Sequence, residues 1–385
     1  MKFWFGRKAA RGAARPLLFR AWGAAPSVGD WPRSYEAQVR EGYLGNPIAQ
    51  RAVRLVAESV AWCPVYVHES EPKGGPSTGS GRAVALLHPP LLETVASQLL
   101  LHGNAFVQIL PDAAGEPAEL FALRPERVKV EADSGGWPAA YVYKAGESKT
   151  RIAARDGLGR PALAHLKAMH PLDDHYGLGC LGAAAGAVAV HNAAARWNKA
   201  LLDNAARPSG ALVLDAANDN AALSAEQFAR LRDEIEAEFS GTGNAGRPLL
   251  LEGGLKWQAL SLSPADMDFA GLKEAAAREI ALAFGVPPML LGLPGDSTYA
   301  NYREANRALW RLTVLPLAGR ILAGIGSALA MWWPGLKLAV DVDQISALAE
   351  DRERLWTQVS AADFLSREEK REMLGFEAGA GGESE

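Results

Sequence analysis

Two Ala-rich helical stretches, residues 181–207 and 264–284, bracket a short segment of different period and composition. This interruption constrains the fold more than any other feature of the chain. The first stretch offers Val188, His191, Ala195, Leu201 and Leu202 to one side, and Arg196, Asn198, Lys199 and Asp203 to solvent or partners. It stops before Pro208-Ser209-Gly210. Inside the bracket, residues 211–214 read as a strand. Ser224-Ala225-Glu226-Gln227 is a capping box that opens a helix with the apolar stripe Phe228, Leu231, Ile235 and Phe239. A Gly-rich turn over 241–248 leads into 249–252 and 255–262, which predict a hairpin about Gly253-Gly254. The second helical stretch starts at Pro264, with Phe269, Leu272, Ala276, Ile280 and Ala283 on one face. Lys273, Glu274 and Arg278 are left for solvent or a neighbour. Residues 208–262 thus predict a compact βαββ unit, placed as a module held away from a main body on two helices.

The body on either side predicts α+β structure. Residues 47–61 repeat Ile48, Val53, Val56 and Val60 near the helical period, with Asn46 as N-cap and Pro47 at the first position. A strand follows at 65–67, and a loop rich in Gly, Pro, Ser and Thr at 71–82. A helix over 91–101 stops at His102-Gly103-Asn104, before strands at 105–110, 128–131 and 141–143. Beyond Gly285-Val286-Pro287-Pro288 comes a Gly/Pro-containing stretch, 291–301, then a long helix, 302–332. Pro316 predicts a kink inside that helix. Trp310, Trp332 and Trp333 belong to core or to a subunit contact.

Composition narrows function. At 385 residues and 49% hydrophobic the chain folds a sizeable core. A net charge of −4 argues against affinity earned by neutralising phosphates. Cys63 and Cys180 are too few for a disulfide or zinc framework and read as packing thiols. Residues 1–29 form a basic arm, Lys2, Arg7, Lys8, Arg11, Arg15 and Arg20 interleaved with Phe3, Trp4, Phe5, Phe19 and Trp22. It lacks the uninterrupted apolar run of a secretory signal and suits contact with a neighbouring subunit or nucleic acid. Charges interrupt every long apolar run, so no membrane span is expected. Neither a P-loop, a dinucleotide fingerprint nor a G-x-S-x-G elbow occurs. The enzymatic alternative is a metal site built from His165, His170, Asp173, Asp174 and His175, whose spacing fits no familiar helical motif; a polar loop at a subunit contact is the competing reading.

Several landmarks in order resemble portal proteins of siphophage type, from tailed double-stranded DNA phages or phage-derived gene transfer agents. They are Gly103-Asn104-Ala105-Phe106, Leu123-Arg124-Pro125, and His170 followed by Gly177-Leu178-Gly179. Phe284-Gly285-Val286-Pro287-Pro288 with Leu290-Leu291-Gly292, Ser297-Thr298-Tyr299-Ala300-Asn301 and Leu315-Pro316 continue the series. Phe364-Leu365-Ser366-Arg367-Glu368-Glu369-Lys370-Arg371 with Leu374-Gly375 closes it. The C-terminal part is shorter than is usual in the family, and Glu369 stands where many relatives carry Asn.

The resemblance implies a non-enzymatic α+β portal fold without cofactor or metal, in a dodecameric ring at one capsid vertex of the virion. By segment it implies a wing (30–182 and 285–345), stem helices (183–207 and 263–284), a clip (208–262), and a short crown and tail (346–385). It implies a tunnel loop, 291–301, narrowing the DNA channel through Leu291, Gly292, Leu293, Pro294, Gly295, Asp296, Ser297, Thr298, Tyr299 and Asn301. Asn244, Arg247, Lys256 and Trp257 become candidate clip contacts for a large terminase and then a head–tail adaptor. The other implied partners are further copies of the chain, the major capsid protein and duplex DNA in transit.

Overall fold

Asn46 starts the first long helix in the manner its sequence predicts. Its Oδ1 accepts hydrogen bonds from the amides of Ile48 and Ala49, both at 3.0 Å, while Pro47 has no amide to satisfy. The computed structural model describes residues 34–67, 78–203, 210–214, 226, 229–230, 233, 255–259, 269–294 and 298–374. A short helix α1 (Tyr35–Gln38) runs through a π-type turn into α2 (Pro47–Ala61), whose Val53, Val56 and Val60 are buried. After β1 (Val65–Val67) the expected loop ends early, because α3 (Thr78–Ala85) is helical despite Gly79 and Gly81. Ala83, fully buried, supplies the packing that overrides their poor propensity. Helix α4 (Pro89–Leu101) starts two residues ahead of expectation, since His88 Nδ1 accepts from the Leu91 amide at 3.2 Å.

Two antiparallel three-stranded sheets follow. β2 (Asn104–Pro111) lies between β3 (Pro117–Leu123) and β7 (Leu163–Lys167). β5 (Pro138–Ala145) lies between β4 (Val128–Ala132) and β6 (Ser148–Ala153). Strands β3, β6 and β7 escape a pattern reading. β6 is polar and exposed along almost its whole length, so no apolar alternation announces it. Phe106, Leu123, Val128, Val130, Tyr141 and Leu163 form a small core between the sheets. The main core joins α2 and α4 to the inner sheet and the later helices.

Helix α5 (Cys180–Asp203), about 36 Å long at 1.5 Å per residue, packs along α6 (Phe269–Ala283). Leu181, Ala184 and Val188 from the start of α5 share the main core with Ile280 at the end of α6, so the two helices run in opposite directions. At their far ends β8 (Gly210–Leu214) pairs antiparallel with β9 (Leu255–Ala259). Helical backbone at Glu226, Ala229, Arg230 and Asp233 falls within the expected helix of the βαββ unit. The expected strand 249–252, Asn244, Arg247 and the arm 1–29 lie outside the described residues.

The long helix α7 (Tyr299–Leu329) begins three residues earlier than its pattern suggested, because Thr298 Oγ1 caps it by accepting from the Asn301 amide. Pro316 does not end it. A π-type turn, Trp310–Val314, lies immediately before the proline and takes up the bond it cannot make. The helix is long and apolar enough to cross a membrane by length and composition, yet Val314, Ile321, Leu322, Ile325 and Leu329 are buried in the protein core. Gly324 admits the Leu166 side chain of β7, where a Cβ would collide with it. The helix stops at Leu329 rather than Trp332, whose Nε1 donates to the Gly115 carbonyl at 2.8 Å beneath the Arg160 guanidinium. Then β10 (Leu338–Val340) pairs with β1, and α8 (Ala349–Ala361) and α9 (Arg367–Met373) close the described chain. Glu369 completes a reciprocal capping box with Ser366, which gives this residue a structural role.

Two distant landmarks meet at one backbone crossing. Asn104 is fully buried; its Oδ1 accepts from the Gly177 amide at 2.7 Å and its Nδ2 donates to the Gly177 carbonyl at 3.1 Å. Gly103 has φ +80°, and a Cβ there would sit 2.5 Å from the Gly179 nitrogen; one on Gly177 would lie 2.6 Å from the Ala168 nitrogen. Only glycine admits this approach. Gly103→Ala is therefore expected to cost about 3 kcal/mol or more. Gly146→Ala, at φ +60° in open space, is expected to cost only about 1 kcal/mol. Equal melting-temperature losses in the two variants contradict this packing.

Candidate functional site

The end of α6, the connection to α7 and the first turns of α7 make one continuous surface. Phe284 and Val286 bury themselves on either side of Gly285, whose φ is +65° and whose carbonyl accepts from Thr313 Oγ1 at 2.7 Å. A 3-10 turn, Pro288–Leu291, then ends at the left-handed Gly292. Leu291 and Leu293 are half-buried, while Gly292 and Pro294 are exposed. Arg278 of α6 pairs with Glu274 at 2.8 Å and also donates to the Pro294 carbonyl, tying the connection to the helix pair. Gly295, Asp296 and Ser297 lie outside the described residues. Thr298 is the cap, and Tyr299 and Asn301 already belong to the first turn of α7, so the non-helical stretch is shorter than 291–301. Tyr299 is 79% exposed, with the Arg303 guanidinium 5.5 Å from its ring centroid.

Farther along α7 stands a charge array that the sequence reading did not single out. Arg303, Arg307 and Arg311 recur every four residues on one side of the helix. Glu350 bridges Arg303 and Arg307, the latter at 2.8 Å; Asp351 bridges Arg307 at 3.6 Å and Arg311 at 3.4 Å. Glu304 adds a 2.9 Å contact to Arg307, whose side chain is only 10% exposed. The signal was present as R-x-x-x-R-x-x-x-R, but nothing local to it points to acids in a later helix. In the segment between α5 and α6, β9 sets Lys256 opposite Val213 and Trp257 opposite Leu212. These two candidates thus lie on the β8–β9 strand pair.

Residues 47–375 match the family model described as phage portal protein. The chain belongs to the phage portal protein family. It is thereby a structural protein rather than an enzyme. It is similar to the neck of an empty gene transfer agent (GTA) particle computed with C6 symmetry, at 45% identity and a TM-score of 0.69 over 90% of this chain and 94% of that one. Against the neck of a native GTA particle computed with C12 symmetry the identity is 45% and the TM-score 0.66, over 90% and 95%. An HK97 family phage portal protein from Corynebacterium diphtheriae, 18% identical, shares the fold with a TM-score of 0.55 over 83% of this chain and 99% of that one.

In this portal chain the residues of the histidine cluster do not come together: among the described residues no three metal-ligating side chains converge. Three of the groups are held by neighbouring backbone or side-chain atoms, whereas the buried His175 Nδ1 has no hydrogen-bond partner among the described residues. His165 Nε2 lies 3.1 Å from Asn104 Oδ1, and its ring stacks on Phe106 at 4.2 Å. His170 Nδ1 accepts from the Leu172 amide at 3.0 Å, and Asp173 Oδ1 from the amides of His175 and Tyr176. Lys167 Nζ donates to the Asp174 carbonyl, which places a cation beside the would-be ligands. His175 is buried. Burial first, then the nearby Lys167, His175 and His102, push the His165 pKa down to about 3. Cys63 is a buried thiol, raised to about 11 by burial, and Cys180 is raised by the same cause.

A histidine held neutral in the folded chain takes up its proton on unfolding. Its contribution is therefore intact above the unfolded value near 6.5 and is lost as pH falls from there towards 3. The melting temperature should fall across that window. His165→Gln keeps a donor for Asn104 and should flatten the dependence; an unchanged slope contradicts the assignment of His165 to this role.

Proposed function

We propose that the chain is the portal subunit of a gene transfer agent particle, in which twelve copies close a ring at one capsid vertex and surround the channel for DNA. The observation that carries this reading is the 45% identity, spread over nine-tenths of the chain, to the necks of GTA particles computed with C6 and C12 symmetry. In this reading the α+β body is the wing, α5 and α6 are the stem, and β8, β9 and the chain between them are the clip. Helices α8 and α9 are the reduced crown. The protein then resides in the virion, with the major capsid protein around it.

Each segment has a physical rationale. Two antiparallel helices give a stiff spacer that holds the β8–β9 pair at a distance from the core. A large terminase during packaging, and a head–tail adaptor afterwards, would meet that tip, with Asn244, Arg247, Lys256 and Trp257 as candidate contacts. Residues 291–301 would narrow the channel. Gly292, at φ +74° with open space around it, and Pro294 give a connection whose turn chemistry does not depend on burial. Arg278 would hold the start of that connection against the stem. A channel that moves a polyanion must guide it without capture, which the net charge of −4 per subunit favours.

Deletion of Leu293 to Ser297 is expected to leave ring assembly intact while reducing the fraction of DNA-filled particles, scored by nuclease-resistant DNA per particle. Normal filling by the deletion contradicts the constriction role. Loss of rings would instead assign these residues to assembly.

A further inference from the structure

The arginine array on α7 is built more heavily than docking of a surface helix requires. Arg303, Arg307 and Arg311 are spaced by about 6 Å along the helix axis. Duplex DNA carries a phosphate every 3.4 Å or so of axis on each strand. A row of flexible guanidinium side chains at that interval can reach several phosphates at once and form charge-assisted, bidentate contacts. Arg303 and Arg311 are already 45% and 58% exposed, whereas Arg307 is 10% exposed. Three carboxylates cancel the three charges: Glu304 from α7 itself, and Glu350 and Asp351 from the first turn of α8.

Beyond these pairs, Arg352 of helix α8 meets Asp343 at 3.2 Å, and apolar burial on the helix is slight. Val359 is its one buried residue, and Leu355 and Trp356 remain 42% and 46% exposed. Its acidic first turn sits where the helix dipole also favours negative charge. The structure shows the array closed, with the acids between the arginines; displacing the acids would leave a cationic row.

We propose that Arg303, Arg307 and Arg311 form a phosphodiester-binding row that Glu350 and Asp351 keep closed, so that this stretch of the long helix does not capture DNA. The proposal rests on the portal reading for its biological sense, because the row begins two residues after the stretch 291–301 assigned to the channel. The binding site itself is a property of the single chain. Glu350 and Asp351 act as competitors for the phosphate, occupying its place on the guanidinium groups. Loss of their charge should expose a site absent from the wild type.

The test is fluorescence anisotropy of a labelled duplex of about 20 base pairs against the full-length protein, titrated with sodium chloride. E350Q/D351N is expected to bind at least tenfold more tightly than wild type at low salt. Its plot of log K against log salt should be steeper by about 0.9 for each arginine that gains a phosphate. Adding R303Q/R311Q to that variant should abolish the gain. A folded E350Q/D351N protein with wild-type affinity and slope overturns the proposal, as does a gain that survives R303Q/R311Q. If the double variant fails to fold, E350Q alone relieves the half-exposed Arg303 while Asp351 still pairs with Arg307 and Arg311; no gain there also overturns it. Failure of the wild type to form rings would count against the portal reading and leave this affinity comparison intact.

Discussion

The fold depends on the crossing at which Asn104 grips the backbone of Gly177. One buried amide side chain satisfies both the amide and the carbonyl of a turn seventy-three residues away, and also faces His165 Nε2. A buried polar group left unmatched costs more than its hydrogen bond contributes, so this crossing admits one arrangement. The glycines at 103, 177 and 179 let the two backbones touch. Because Gly179 immediately precedes α5, the crossing also fixes where the long helix pair leaves the body. A second polar bridge steadies the same helix: Asn46 Nδ2 reaches Asn192 Oδ1 at 2.9 Å and His191 Nδ1 at 3.1 Å, both on α5.

Among the described residues, α5 and α6 are the elements between the body and the β8–β9 pair in the chain. The start of α5 and the end of α6 are locked in the main core, while the β8–β9 pair stands at the other end. Helix α7 crosses the body as its apolar backbone, and the π-type turn before Pro316 lets it remain continuous where a proline would break a regular helix. The same helix carries Tyr299 and the connection to α6 at its start, and the arginine row farther on. Apolar burial holds the body together, whereas α8 buries only Val359 and adds ion pairs to Arg303, Arg307 and Arg311, which salt weakens more than it weakens apolar contact.

Much of this was legible in the sequence where one residue type has one physical job. Asn46-Pro47 marked the start of α2, and the apolar period gave α2 and α4, the start of α5 and the end of α6 to within a few residues, while the expected end of α5 at 207 and start of α6 at 264 lie outside the described residues. The ordered landmarks from Gly103-Asn104 to Leu374-Gly375 pointed to the family. Strands β3 and β6 were missed because edge and solvent-facing strands have no apolar alternation to detect. The His165 cluster offered a metal site as the alternative because residue types do not reveal that His165, His170 and Asp173 are bonded to other side chains and backbone amides instead of facing one another. The pairing of Arg307 with Glu350 and Asp351 is a long-range contact that no local pattern encodes. Glu369, a departure from the family pattern, became intelligible only once its bond to the Ser366 amide was seen.

Electron microscopy of the purified full-length chain, viewed end-on and from the side, tests the central claim most directly. The portal reading predicts closed rings of about twelve subunits, with a central hole wide enough for duplex DNA and a narrow projection built from the α5–α6 pair and its strand tip. A monomer or small open oligomer that persists at high concentration and in the presence of capsid protein would contradict it.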